Sequence, residues 1–316
     1  MAKKLYVPLL LLILFGVGVS SAMLYKLVKL DPVNILLKTK GEAAGIIVRS
    51  DTALQIYPFR VEGELYFAGE RVPLEDPEVR ERLDRELQIN VFRQSNTVLD
   101  IKLANRFFPE IERILLEEGV PTDFKYLPLI ESDFRDVVSG SGAAGFWQFL
   151  PTTAKNFGLE VNNDIDERYH VEKSTRAACQ YLKKAKERLG SWTAAAASYN
   201  FGTEGVAGKL ESQHTTNYYD LSITAETARY VFRMLAMKVI FSDPLRAGYH
   251  FSDPDLYQPT IYNTVEVDST INDLPEFAAI FNLRMKDLRM LNMWMRSTNL
   301  PNKAHKTYQI RIMQKQ

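Results

Sequence analysis

The chain has 316 residues, 46% of them hydrophobic and 25% charged, which is an ordinary globular composition and enough to bury a core in one main domain with smaller attachments. Lys+Arg and Asp+Glu cancel at 39 each, so no basic excess points to nucleic acid and no acidic run to a solvating tail. The single cysteine, Cys179, excludes an intramolecular disulfide framework and a thiolate cage, and the four histidines (170, 214, 250 and 305) lack ligand spacing, so neither a metal nor a cofactor is expected.

Lys3 and Lys4 precede an apolar run from Leu5 to Tyr25, followed by Lys26 and Lys29. The run is about the length that spans a bilayer. It reads either as a cleaved signal peptide, with Val19-Ser20-Ser21-Ala22 as a small-residue cleavage site, or as a retained membrane anchor. Both readings of residues 1–25 export the chain beyond Tyr25. No cysteine lies near the run, which closes the acylated-cysteine route. Residues 26–75 lack sustained periodicity. Ile46-Ile47-Val48 and Leu54-Gln55-Ile56-Tyr57 are short strand candidates, and Pro58, Gly63 and Gly69 punctuate the segment. It reads as a juxtamembrane stretch partly ordered on the domain behind it.

From Asp76 to Asp243 the pattern is helix after helix. Pro77 opens one, with Glu78 in its first turn. Pro109 is expected to open another, carrying Ile111, Ile114 and Leu115 and ending at Gly119. Thr122 and Asp123 are expected to cap a short helix bearing Phe124, Leu127 and Ile130. Thr152 to Phe157 stops at Gly158. Ala178, Tyr181, Leu182, Ala185 and Leu189 form a stripe that stops at Gly190. Ser191 caps a helix containing Ala194 to Ala197, whose small side chains suit close helix approach in the core, and Glu226 to Phe241 is a long amphipathic helix. After Pro254 the texture becomes β-α-α-β: Thr260–Val267, Leu274–Phe281, Leu283–Asn292 and Tyr308–Ile312.

Four short patterns carry chemistry. In Tyr126-Leu127-Pro128-Leu129-Ile130-Glu131-Ser132, Glu131 lies one turn from Leu127, so the acid projects from a buried face. Burial raises a carboxyl pKa, which a general acid near neutral pH requires. A solvated helix-end Glu is the bland alternative. Gly142 to Pro151 sets Gln148 between aromatic residues in a Gly-rich turn and lacks the Lys-Ser/Thr ending of a phosphate loop. Alternatively, it is a turn packing a core Trp. Ala197-Ser198-Tyr199-Asn200-Phe201-Gly202 ends the Ala-rich helix; its Tyr and Asn suit sugar hydroxyl and N-acetyl groups, and Gly202 equally suits a helix cap. In Glu226-Thr227-Ala228-Arg229-Tyr230-Val231, Tyr230 is a polar tip on an apolar face and is equally a core residue.

Together, and in this order, the patterns resemble the four motifs of the lytic transglycosylase family. The resemblance runs from about Asp76 to Asp243. It implies a mainly α, lysozyme-like (goose-type) catalytic domain over 76–250 that cleaves the bond between N-acetylmuramic acid and N-acetylglucosamine in peptidoglycan. It further implies Glu131 as the catalytic acid and later base, with Ser132, Gln148, Tyr199, Asn200 and Tyr230 as substrate-binding or cleft residues, Tyr230 hydrogen-bonding the Glu. Phe201 departs from the family's usual small residue, which would narrow a subsite. Glycosidases typically use two carboxylates roughly 5 to 10 Å apart, and no second acid has an obvious place here. The family closes a 1,6-anhydro ring on the muramoyl unit instead of consuming water. Hydrolysis by a goose-type lysozyme and wall binding without catalysis are the alternatives. Residues 258–313 resemble a LysM module in Asp268-Ser269-Thr270-Ile271, Leu291-Asn292 and Tyr308-Gln309-Ile310-Arg311-Ile312, without its usual Gly-Asp-Thr start. The module is either a glycan binder or a structural cap. The implied partners are glycan strands and, through the N-terminal run, a membrane of the bacterial envelope; no protein partner is indicated.

Overall fold

The computed structural model describes residues 58–314; the apolar run at 5–25 and the strand candidates at 46–48 and 54–57 lie outside them. Among the described residues no helix is long and apolar enough to cross a membrane.

The described chain starts with a hairpin. β1 (Leu65–Phe67) pairs antiparallel with β2 (Glu70–Val72), Leu65 opposite Val72. Phe59, Phe67 and Val72 are buried in the helical core. The Glu70 carboxylate accepts from the Trp192 N–H at 2.7 Å, the Thr193 N–H at 2.8 Å and the Thr193 hydroxyl at 2.6 Å. It thus satisfies donors that a distant helix leaves open at its start. The Ala68 N–H at the hairpin tip donates to Asp123 Oδ2 at 2.6 Å.

Helix α1 (Pro77–Phe92) begins where expected, Asp76 accepting from the Glu78 N–H at 2.8 Å. Helix α2 spans Gln94–Glu117 with Pro109 inside it, where the sequence suggested a start. A proline removes one helical hydrogen bond and favours a break. Thr97, Ile101, Ala104, Ile111 and Leu115 nevertheless form one continuous buried stripe, with Phe108 packed on the core between them, so burial overrides the local preference. α2 ends in a left-handed Gly119 (φ 67), with Val120 N–H donating to Leu115 O at 2.9 Å and Gly119 N–H to Leu116 O at 3.1 Å. Residues Thr122–Lys125 form a 3-10 turn without a side-chain cap. Asp123 does not cap it; besides the hairpin N–H, its Oδ2 accepts from Lys238 Nζ at 2.7 Å.

The helices α3 (Tyr126–Ser132), α4 (Pro151–Asn156), α5 (Val171–Leu189), α6 (Trp192–Phe201), α7 (Thr203–Ser212) and α8 (Ala225–Ser242) complete the main domain. Ser191 caps α6 by accepting from the Ala194 N–H at 3.1 Å. Ala194 to Ala197 are fully buried, and their small side chains let α6 pack against α5, α7 and α8 at once. The ring of Phe201, the bulky departure from the motif, lies over Gly205 of α7, where an added Cβ would stand 3.0 Å from it.

The C-terminal module is β3 (Tyr262–Val267), α9 (Leu274–Ile280), α10 (Met285–Leu291) and β4 (Tyr308–Met313), with β3 antiparallel to β4. Its buried Asn292 donates through Nδ2 to Leu288 O at 2.8 Å and Arg311 O at 2.7 Å, and accepts from the Arg311 N–H at 2.9 Å, tying α10 to β4. The module's core is continuous with the main domain: Leu274, Leu288, Leu300 and Ile310 share a buried cluster with Ala144, Ile165 and Tyr169. The Asp166 N–H donates to Trp294 O and the Arg296 N–H to Asp164 O, both at 2.8 Å. Trp294 lies between His170 and Tyr308, with ring centroids at 6.0 and 5.6 Å.

Trp294→Ala should therefore lower unfolding free energy by about 3–5 kcal/mol, as truncation of a buried Trp does. It should also slow catalysis, because the segment that Trp294 braces supports the Gly-rich turn. Denaturant melts alongside initial rates check both; unchanged stability would mean the module docks loosely.

Candidate active site

Helix α3 is apolar on nearly every side, with Leu127 fully buried, and this carries the half-buried Glu131 to its last turn inside the protein. The chain then reverses through two successive left-handed residues, Asp133 (φ 49) and Phe134 (φ 54). That conformation is costly for residues with a Cβ. The Phe134 ring sits 5.3 Å from Phe107, 5.8 Å from Phe108 and 6.3 Å from Phe146, and this packing fixes the reversal. Ser132 is buried; its hydroxyl lies 3.0 Å from both Pro128 O and Phe146 O. Its hydroxyl thus braces α3 against the Gly-rich turn.

The turn itself is held from below by Arg168. This buried guanidinium pairs with Asp166 (Nε–Oδ1 2.9 Å, Nη2–Oδ2 2.7 Å) and donates from Nη1 to Gly142 O at 2.8 Å and Phe149 O at 3.0 Å. Gly145 (φ 77) passes so close that a Cβ there would stand 2.0 Å from Arg168 O. Trp147 is buried and donates to Thr175 Oγ1 at 3.0 Å. Gln148, left-handed at φ 46 and partly exposed, donates through Nε2 to Val137 O at 3.1 Å and Gly145 O at 3.0 Å. Neither Arg168 nor Asp166 has a motif signature; a bidentate pair two residues apart is common on surfaces, and only its burial marks it here.

Tyr230 is buried on α8 and donates a hydrogen bond to Glu131 Oε1. Tyr199 donates to Trp147 O at 2.9 Å and packs 5.1 Å from Tyr181 and 5.8 Å from Phe149. Burial and the nearby Glu131 hold both phenols far above their usual range, so they act as neutral donors. Asn200 is exposed at the rim, its Oδ1 3.4 Å from Thr227 Oγ1. Arg233, one turn along α8 from Tyr230, donates to Ile130 O at 2.9 Å. Burial raises the Glu131 pKa above the usual carboxylate range, while the Tyr230 hydrogen bond and the Arg233 charge pull it back. The structure thus brings Glu131, Tyr230 and Tyr199 together, with Gln148 and Asn200 at the edges. What the arrangement offers is one protonatable acid, oriented by a phenol.

Residues 111–222 match the Transglycosylase SLT domain family, and residues 263–316 match the soluble lytic transglycosylase C-terminal LysM-like domain. Two segments of the chain are thus similar to an SLT domain and to a LysM-like module, in that order. It is 29% identical over 227 residues to membrane-bound lytic murein transglycosylase D of Escherichia coli strain K12, covering 68% of this chain and 49% of that protein. The same figures hold for the protein of that name from Escherichia coli O6:H1 strain CFT073. The chain spans about half the length of these curated relatives. A solved structure of an inactive variant of lytic transglycosylase Slt from Pseudomonas aeruginosa aligns over 48% of this chain and 26% of its own, at 20% identity and a TM-score of 0.33.

Two outcomes are expected around this site. Gly145→Ala places a methyl against the Arg168 carbonyl at a positive φ, so activity should fall with a loss of stability, read together by rate and melting temperature. Asp100 of α2 is buried with Oδ1 unpartnered, and its pKa is pushed up to about 7, first by burial and then by Asp133. Its folded pKa exceeds the unfolded value of about 3.9, so the folded state holds the proton longer and stability falls as pH rises from about 4 to 7. Asp100→Asn should leave stability nearly unchanged at pH 4 and raise it by a few kcal/mol at pH 8; equal effects at both pH values would show that Asp100 does not titrate this way.

Proposed function

We propose that this chain is a peptidoglycan lytic transglycosylase. The reading is carried by one observation: the half-buried carboxyl of Glu131, at the end of α3, accepts a hydrogen bond from the buried Tyr230 phenol. The SLT and LysM-like matches support it. Burial disfavours the Glu131 anion and raises its pKa, which favours the acid form that the reaction starts from. Tyr230 donates to Oε1, which leaves Oε2 to carry the proton that is given away. Glu131 donates it to the glycosidic oxygen, the C1–O bond breaks, and the N-acetyl carbonyl of the muramoyl unit supports the positive charge at C1. The carboxylate, steadied by Tyr230 and Arg233, then takes the proton of the muramoyl C6 hydroxyl. O6 bonds to C1, the 1,6-anhydro ring closes, and Glu131 is again protonated. No water is consumed. Gln148, Tyr199 and Asn200 border the sugar, and Ser132 holds the acid's helix in place.

The site of action in this reading is the bacterial cell envelope, reached by export through the segment at 5–25, as a cleaved signal or a retained anchor. The E. coli relatives are named as membrane-bound, which agrees with an envelope location.

Digestion of purified sacculi should release anhydromuramoyl products, seen by mass spectrometry; reducing muramoyl ends would instead assign hydrolysis. Glu131→Gln should lower the rate by at least the 10²–10⁴ that a positioned acid supplies. Tyr230→Phe removes the hydrogen bond that lowers the Glu131 pKa, so the acid form persists further. The alkaline limb of the kcat profile should move to higher pH while kcat itself falls about tenfold or more. A limb that moves down would refute this role for Tyr230.

A further inference from the structure

A groove of about 500 Å³ lies beside the cleft, between α1 and α8, within the roughly 300–1,000 Å³ of small-molecule sites. Four arginines line it, Arg85, Arg93, Arg229 and Arg233, against Glu86 and Glu226. Glu86 is buried and takes Arg229 Nε at 2.6 Å, which cancels that pair. The remainder is Arg85, Arg93 and Arg233 against the exposed Glu226, a net positive groove. Arg85 and Arg93 are exposed, and their guanidinium groups make no hydrogen bond among the described residues.

The groove meets the catalytic apparatus through Arg233, which lines it and donates to the carbonyl of Ile130, the residue before Glu131. A group that hangs from a glycan held at Glu131 would meet this groove. Sugar hydroxyls are neutral and give no reason for a cluster of guanidinium groups. Carboxylates do, since arginine matches them with two parallel donors.

We propose that the groove is a carboxylate subsite, in which Arg85, Arg93 and Arg233 take the carboxylates of the peptides attached to the muramoyl units of the strand being cut. The inference rests on the glycan-cleaving reading of Glu131. The enzyme thus selects peptide-bearing strands through contacts outside the sugar cleft, and Arg233 couples occupancy of the groove to the helix end that carries the acid.

The test uses the full chain on three soluble substrates: strands with native peptides, the same strands with peptide carboxylates converted to methylamides, and strands stripped of peptide by an amidase, whose remaining carboxylate is on the lactyl group. For the wild type, methylamidation should raise KM about tenfold with little change in kcat. The double variant Arg85→Gln, Arg93→Gln should raise KM on native strands by a similar factor, ignore methylamidation, and match the wild type on methylamidated strands. Both residues are exposed, so its melting temperature should hold. A double variant that still discriminates, or a wild type that does not, overturns the subsite. A KM loss confined to stripped strands moves the carboxylate to the sugar and overturns the peptide assignment. A wild type that cuts none of the three overturns the glycan-cleaving reading itself.

Discussion

The arrangement around Glu131 depends on how one buried cation is satisfied. Arg168 has lost water, and such a loss is repaid only when every donor finds a good acceptor. Its acceptors are the Asp166 carboxylate and two carbonyls, Gly142 and Phe149, at the two ends of the Gly-rich turn. The turn cannot move without stranding a charge. Gly145 carries the backbone directly over the Arg168 carbonyl, where no larger residue fits. Phe146 then accepts from Ser132, and Trp147 O accepts from Tyr199. The chain of contacts runs from a buried ion pair, through a turn, to the helix that ends in the acid and to the phenol across the cleft.

The second constraint is electrostatic. In the proposed reaction Glu131 gives a proton and then takes one back, which needs neither form strongly favoured. Burial raises its pKa. Tyr230 and Arg233 offset that, both from one turn of α8, so a single helix sets the balance. α8 is in turn packed along α1 and tied by Lys238 to Asp123, next to the start of α3. The acid and the groups that tune it are thus held in register by core contacts and not by a flexible loop. Asp100, a buried carboxyl near enough to Asp133 to feel its charge, shares the upward shift that burial causes.

Much of this was legible in the sequence where the signal is local. Apolar stripes and their caps gave α5, α6 and α8, and the β-α-α-β order of the C-terminal module followed from changes of period. The acid and Tyr230 were recognisable from motif order, and the structure brings them into contact. Errors arose where distant contacts outweigh local chemistry. Pro109 reads as a helix start, yet the helix continues because its stripe is buried on both sides of the proline. Asp123 reads as a cap and instead ties Ala68 to Lys238, 55 and 115 residues off. Glu70 and Arg168 carry no pattern, since what defines them is burial and partners remote in sequence.

Remote contacts also decide what the C-terminal module does. A domain that binds glycan through aromatic faces must leave those faces open to the sugar. Here Trp294 is buried between His170 and Tyr308, and Tyr308 also donates to Glu160 of the main domain at 3.0 Å. Arg311, on the last strand, is committed to Glu110 of α2. These groups are spent on docking. The module adds strand-like hydrogen bonds to the segment 164–166, immediately ahead of Arg168, so it stiffens the stretch that pins the Gly-rich turn. Its docked face is therefore joined to the segment that leads into Arg168 and the Gly-rich turn.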